Sequence, residues 1–218
     1  MKKLIVFLLV AVMTLGSMSL AACSTTDYTV GIIQLVPHPA LDDATNGFRD
    51  ALGEEMEKAG KTIKFDYQNA SNETTACTTI VGNFKAKKYD LIMANATAAL
   101  QAAANAVTDI PILGTSVTEY GVALGIDNFN GTVGGNVSGT SDLGDLDKQA
   151  QMILDLVPSA KKVALLYCSA EPNSKYQVLK VAEYLSAKGV ESKEYPFADT
   201  NDISAVATGA ADGSICVL

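Results

Sequence analysis

Thr29-Val30-Gly31-Ile32-Ile33-Gln34-Leu35, followed after Pro37 and Pro39 by a segment in which Ala44, Phe48, Ala51, Leu52 and Met56 recur at helical spacing, decides the fold class. The first run is short, apolar and rich in β-branched residues, so it predicts a strand. The second has the period of an amphipathic helix over residues 41–59, closed by Gly60. Two prolines between them prevent either period from running on, because each lacks an amide donor and fixes its own backbone. Strand then helix within about 30 residues is one βα unit, and the unit repeats.

Outward from that unit, residues 63–67, 90–94 and 110–113 predict further strands, with helices over 73–87 and 98–107 between them. Residues 131–139 change texture to Gly, Asn, Ser and Thr and predict a linker or hinge. A second series follows: helix 146–157 stopped by Pro158, strand 163–167, helix 175–188 stopped by Gly189, strand 190–195, a weak helix from Asp202 and a strand start at 215–218. Alternating units of this kind build parallel sheets flanked by helices. The expected architecture is α/β with two Rossmann-like lobes, residues 28–134 and 135–218, the second one incomplete.

The N-terminus predicts an address. Lys2 and Lys3 precede an uncharged apolar run and a small-residue stretch, the order of a secretion signal over residues 1–22 and too short to span a bilayer comfortably. Its end, Leu20-Ala21-Ala22-Cys23, resembles a bacterial lipobox. That resemblance implies lipidation of Cys23, a polar linker over residues 23–27 and an exported protein held at the outer face of the membrane by acyl chains. Two chains on one residue suffice for stable anchoring.

Composition excludes other roles. The 218 residues carry 16 basic and 24 acidic groups for a formal charge of −8, and cleavage after Ala22 would remove only Lys2 and Lys3, making it more negative. A nucleic-acid partner requires the opposite sign. Besides Cys23 there are Cys77, Cys168 and Cys216, widely spaced and with only His38 as an imidazole, which fits neither a disulfide framework nor a metal site. Cys77 and Cys168 read as small buried residues. No cofactor is expected: the glycines of 131–139 neither follow the first strand nor open into a helix with an acidic residue at the right distance, as a dinucleotide site needs. The chain has no Gly-x-Ser-x-Gly elbow, no His-Glu-x-x-His and no P-loop, so no enzyme is expected either. Asp42 beside Asp43 at a helix start reads as a pair of dipole-complementing acids.

In parallel sheets, ligands bind beyond the carboxyl ends of the strands, at helix N-termini. The turns there are small and polar: His38-Pro39-Ala40-Leu41-Asp42, Asn95-Ala96-Thr97, Thr115-Ser116-Val117-Thr118-Glu119, the segment from Ser138 to Asp142, and Ser169-Ala170-Glu171-Pro172-Asn173-Ser174. Any one could be an ordinary cap. Together, on one face of two lobes, they point to a small polar ligand. Helix-start hydroxyls and amides suit a carboxylate, Asp42 or Asp142 an ammonium, and Leu41 or Tyr120 an apolar wall, while Phe48 falls on the core stripe of its helix.

Gly31-Ile32-Ile33-Gln34 with His38-Pro39-Ala40-Leu41-Asp42 and Gly47-Phe48, Gly135-Asn136-Val137-Ser138-Gly139-Thr140-Ser141-Asp142, and Leu166-Tyr167 with Glu171, Asn173 and Ser174 resemble ABC-transporter substrate-binding lipoproteins of the tryptophan and aromatic amino-acid type. The resemblance implies a periplasmic-binding-protein fold that closes on an amino acid and presents it to an ABC permease and its ATPase. Carried over to matching positions, the ligand shell is His38, Leu41, Asp42, Thr97, Ser141, Asp142, Asn173 and Ser174. Thr118-Glu119-Tyr120 stands where such proteins have a Thr-Asp-Pro-like turn, and Gly209-Ala210-Ala211-Asp212-Gly213-Ser214 departs from their pattern. Relatives of this type run on past the position of Leu218, which implies C-terminal truncation and predicts that this chain closes poorly on ligand. A sensory lipoprotein acting through a separate membrane receptor is the alternative use of the same fold.

Overall fold

The structure, a computed structural model, describes residues 26–211 and the strand residues 216–217. The expected signal over 1–22 and the lipidated Cys23 lie outside the described residues. Nine elements make the first sheet and its helices: β1 (Tyr28–Gln34), α1 (Pro39–Lys58), β2 (Ile63–Asn69), α2 (Thr74–Ala86), β3 (Leu91–Asn95), α3 (Thr97–Ala106), β4 (Ile112–Val117), α4 (Tyr120–Leu124) and β5 (Val137–Ser141). The strands run parallel in the order β2-β1-β3-β4-β5. α5 (Leu146–Leu156), β6 (Lys162–Cys168), α6 (Pro172–Ala187), β7 (Glu191–Phe197), α7 (Ile203–Ala211) and β8 (Cys216–Val217) follow, with a parallel sheet β7-β6-β8.

β1 forms where it does because a strand between two neighbours needs apolar residues on both faces. Ile32 and Ile33 are both fully buried, on opposite sides of the sheet. Ile33 joins Phe84, Leu100, Ile112 and Val117 under α2, α3 and α4, whereas Val30, Ile32 and Met93 meet Phe48 and Leu52 of α1. Gly31 is the close-approach point: a Cβ there would lie 2.5 Å from the Phe84 ring. α1 begins at Pro39, two residues before the predicted start. His38 Nδ1 accepts a hydrogen bond from the Ala40 amide and proline suits the first helical position.

Two differences from the sequence reading matter for the cleft. β5 falls inside the second half of the predicted division and yet pairs with β4, so the first sheet extends past residue 135 to Ser141. Gly131, Gly134 and Gly135 take positive φ in a turn, as their composition suggested, but the chain crosses between the sheets only after Ser141. β5 was hard to see because its residues are mostly exposed and small. Gly139, at φ 155, brings the two backbones so close that a Cβ would lie 2.2 Å from the Gly114 carbonyl and 2.1 Å from the Tyr120 hydroxyl. The second difference is α4, a short helix over residues to which the sequence reading assigned no element, capped by the Glu119 carboxylate on the Val122 amide at 2.6 Å. α4 packs against α6, so the two lobes touch.

Candidate functional site

The carboxyl ends of the strands in both sheets face a cavity of about 700 Å³ between the lobes. That volume is within the range of small-molecule sites. Leu35, Asn72, Thr74 and Ala98 line it from the first lobe. Leu146, Gln149, Tyr167, Ser174, Phe197 and Asp199 are among those lining it from the second, with Glu171 at the same wall. Leu35 follows β1, Thr74 opens α2 and Ala98 belongs to the first turn of α3, so the wall is made at the switch point where strand order reverses around β1 and β3.

Helix starts differ across the molecule in how they are capped. α1, α4 and α5 are capped by side chains: His38 Nδ1 on Ala40, Glu119 on Val122 and Asp145 on Lys148. α2, α3 and α6 have no side-chain cap among the described residues. Their first turns supply Thr74, Ala98 and Ser174 to the cavity wall, to which the capped start of α5 also contributes Leu146 and Gln149. Orphan amides at a helix start carry a partial positive charge, and uncapped ones facing a cavity are suited to an anion.

Of the eight residues predicted to form the ligand shell, Ser174 alone lines this cavity. Its hydroxyl donates to Glu171 Oε2 at 2.9 Å. Neighbouring Asn173 is half-buried in the first turn of α6, where its carbonyl accepts from Gln177 at 3.4 Å. Thr97 is the first residue of α3 and only 7% exposed. His38 is exposed and occupied as a cap. Leu41 and Asp42 are half-buried; the Leu41 carbonyl accepts from Asn95 Nδ2 at 2.7 Å, and Asp42 Oδ1 accepts from Gln34 Nε2 at 2.6 Å. Ser141 and Asp142 are exposed at the end of β5, with Ser141 Oγ donating to the Thr118 carbonyl at 2.7 Å and the Asp142 amide to the Val117 carbonyl at 3.1 Å. His38, Leu41, Asp42 and Thr97 therefore cluster at the ends of β1 and β3, while Ser141 and Asp142 belong to the crossing.

Sequence reasoning missed Asn72, Thr74, Gln149, Phe197 and Asp199 as wall residues. Asn72 carries the one local signal, φ 66 in a turn that folds its amide back to the Leu35 carbonyl at 2.7 Å. Tyr120, proposed as a ligand wall, is core instead: 6% exposed, its hydroxyl donating to the Thr140 carbonyl at 3.3 Å and pushed up to about 12 by burial and the nearby Asp142 charge. Phe48 sits where its stripe placed it, edge-on to Phe65 at 6.4 Å. Cys77 is fully buried, which raises its thiol pKa, but Cys168 is half-buried and lines the cavity, unlike the buried residue expected.

The second-lobe wall is fastened from behind. Tyr167 donates to Glu194 Oε2 at 2.7 Å, and Lys175, in the turn that carries Ser174, pairs with the same carboxylate and lies 5.3 Å from the Tyr167 ring centroid. The Lys175 hydrogen bond, then that of Tyr167, hold the Glu194 carboxyl below the usual glutamate range, and the same pairing raises Lys175. The arrangement is a two-sided pocket with anion-seeking helix ends on both sides, apolar surface from Leu35, Tyr167 and Phe197, and acids at Glu171 and Asp199.

Two parallel sheets facing one interlobe pocket make a periplasmic-binding-protein-like fold, and the family follows: residues 29–217 match the model of the ABC transporter substrate binding proteins, and the chain belongs to that family. It is 41% identical over 175 residues to a tyrosine-binding protein of Clostridioides difficile strain R20291, covering 80% of this chain and 50% of that one. It is similar to the solved structure of an ABC domain in complex with L-Trp from Streptococcus pneumonia, at 30% identity and TM-score 0.78, covering 87% of this chain and 64% of that one. A ligand-free, open substrate-binding protein with adhesive properties from Clostridium difficile is 37% identical with TM-score 0.63, at the same coverages. The chain spans about half the length of the curated relative it matches and about two thirds of these solved ones.

Proposed function

We infer that the protein is the solute-capturing component of an ABC importer and that its ligand is an aromatic amino acid held between the lobes. The observation that carries this reading is that three helix starts at the cavity wall, α2, α3 and α6, lack a side-chain cap. The ligand carboxylate would lie against the first-lobe ends, α2 and α3, where orphan amides can donate to it. Glu171 and Asp199 are the wall acids placed to accept from its ammonium, a role the sequence reading gave to Asp42 and Asp142. Leu35, Phe197 and the Tyr167 ring offer the apolar contact an aromatic side chain requires.

Two relatives support the aromatic class, one named for tyrosine and one solved with L-Trp. The chain is also closer in shape to the tryptophan complex than to the more identical open structure, which supports a closed arrangement of the lobes. Lipid on Cys23 would hold the protein at the outer face of the membrane, within reach of a permease and its ATPase. Calorimetric titration of the full chain with L-tyrosine and L-tryptophan is expected to give saturable heat, and none with L-tyrosinamide at the same concentration, because the amide lacks the carboxylate. Absence of heat with all twenty amino acids would overturn the reading.

A further inference from the structure

Asn130 and Gly131 lie in the connection between α4 and β5, and both are exposed. Asparagine before glycine is the pair best suited to attack on its own side chain, because glycine has no Cβ to shield the amide nitrogen that must reach the asparagine Cγ. The chain holds a second pair of this kind, Asn46-Gly47, which is exposed as well but sits inside α1, where the helical ladder takes up the amides.

The two pairs differ in geometry. Asn130 Oδ1 accepts a hydrogen bond from the Thr132 amide at 3.1 Å, a turn that folds the carboxamide over the intervening Gly131 nitrogen. Gly131 has φ 90, and its amide has no hydrogen-bond partner among the described residues. The Thr132 N–H also faces the oxygen on which negative charge develops when that nitrogen attacks. Asn69 makes the same kind of turn, its Oδ1 accepting from the Ser71 amide at 2.8 Å. There the next residue is Ala70, which is 2% exposed and whose amide is taken by the Gln34 carbonyl at 2.9 Å. Of the three asparagines, Asn130 alone has both the turn and a free glycine amide.

We propose that Asn130 is a self-modifying site that converts to isoaspartate without an enzyme. Hydroxide takes the Gly131 amide proton, and the nitrogen bonds to Asn130 Cγ. The Cγ–Nδ2 bond then breaks, and the side-chain nitrogen leaves as ammonia after picking up a proton from water, which restores the hydroxide. Water opens the cyclic imide at either carbonyl; opening at the main-chain carbonyl leaves the backbone running through the Asn130 side chain. One water is consumed, one ammonia is released and nothing is oxidised or reduced. The product adds a negative charge and a backbone carbon beside Phe129, which packs so closely on α4 that a Cβ at Gly121 would lie 2.5 Å from its own Cβ. α4 in turn touches α6 of the second lobe.

The test is peptide mapping of the full chain, with detection of isoaspartate, after incubation at mildly alkaline pH in buffer and in urea. In buffer, Asn130 is expected to convert about tenfold faster than Asn46 or Asn69, a barrier difference of about 1.4 kcal/mol. Urea removes both the turn and the helix, so Asn130 is expected to slow and Asn46 to speed up until the two rates converge. Wild type aged in buffer is expected to lose about 2 °C in Tm, whereas Asn130→Ser, which has no carboxamide to cyclise, keeps its own Tm on ageing. Equal rates at Asn130 and Asn46 in buffer, or a rate at Asn130 that rises on unfolding, would overturn the site. A Tm loss of the same size in aged Asn130→Ser, or none in converted wild type, would overturn the link to α4.

Discussion

β1 and β7 lie in parallel sheets of the same chain and are held by opposite means. β1 has strands on both sides, and five consecutive residues from Val30 to Gln34 are buried, four of them without a polar side chain. β7 is paired only with β6, and none of its seven residues is buried. What fastens it is polar: Glu191 with Lys162 at 3.0 Å, and Glu194 with Lys175 and Tyr167. The first lobe is a platform built from apolar burial. The second relies for its outer strand on charged pairs, one of which also sets the position of a cavity wall.

The largest expected effects test whether that contrast is energetic. Phe84→Ala removes a ring that is 1% exposed, covers Gly31 and stacks on Tyr89 at 5.1 Å. It is expected to destabilise by about 3–5 kcal/mol. Leu185→Ala, in the second-lobe core and fully buried, is expected to cost about 2–4 kcal/mol. Hydrogen exchange read separately in β1 and β6 decides between one cooperative unit and two. If the lobes are independent, Phe84→Ala loosens β1 and leaves β6 protected; equal loosening of both would abolish the distinction drawn here.

A smaller effect, and one of mixed sign, is expected at the helix ends. Ala98→Asp places a carboxylate in the uncapped first turn of α3, facing the cavity. An acid there complements the helix dipole, so stability should not fall, but it occupies the position expected for the ligand carboxylate and repels it. Tyrosine affinity is expected to drop about 100-fold, or about 2.7 kcal/mol. The parallel change Ala40→Asp in α1, whose start is already capped by His38 and lies outside the cavity wall, is expected to leave affinity within about twofold. Equal losses from both would detach binding from the cavity.

Elements within both lobes were unequally legible in the sequence. β1, α1 and β6 announce themselves because burial demands a pure apolar period, and that period is what a sequence displays. β5 does not: Val137-Ser138-Gly139-Thr140-Ser141 is an edge strand, and an edge strand with small residues looks like a linker until its pairing with Gly114 is seen. The cleft divides in the same way. Turn positions such as Ser174 were readable from their place after a strand and the family motifs around them. Asn72, Thr74, Phe197 and Asp199 were not, because each reaches the wall through the approach of two lobes. The free state of α2, α3 and α6 starts was equally hidden, since Glu73, Ala96 and Glu171 differ as residue types and share only the absence of a cap bond.

The smallest expected effect concerns the polar fastening of β7 and has a sign that can be worked out. Glu194 is held below the usual glutamate value of 4.5 in the folded chain, first by Lys175 and then by Tyr167. A group with a depressed folded pKa contributes stability that is fully present above its unfolded pKa and is lost as pH falls through the folded one. Wild type should therefore lose this contribution progressively below about pH 4.5, whereas Glu194→Gln, which cannot titrate, should lack it at neutral pH and show a flatter acid limb. Glu194 and Lys175 are each more than a third exposed along their side chains, so solvent screens the pair and the gap at pH 7 should be below about 1 kcal/mol. The gap should also shrink in high salt, which would not move the losses from Phe84→Ala or Leu185→Ala. A Glu194→Gln curve that runs parallel to wild type at every pH would show that β7 is held by backbone pairing alone, and would remove the polar half of the contrast between the lobes.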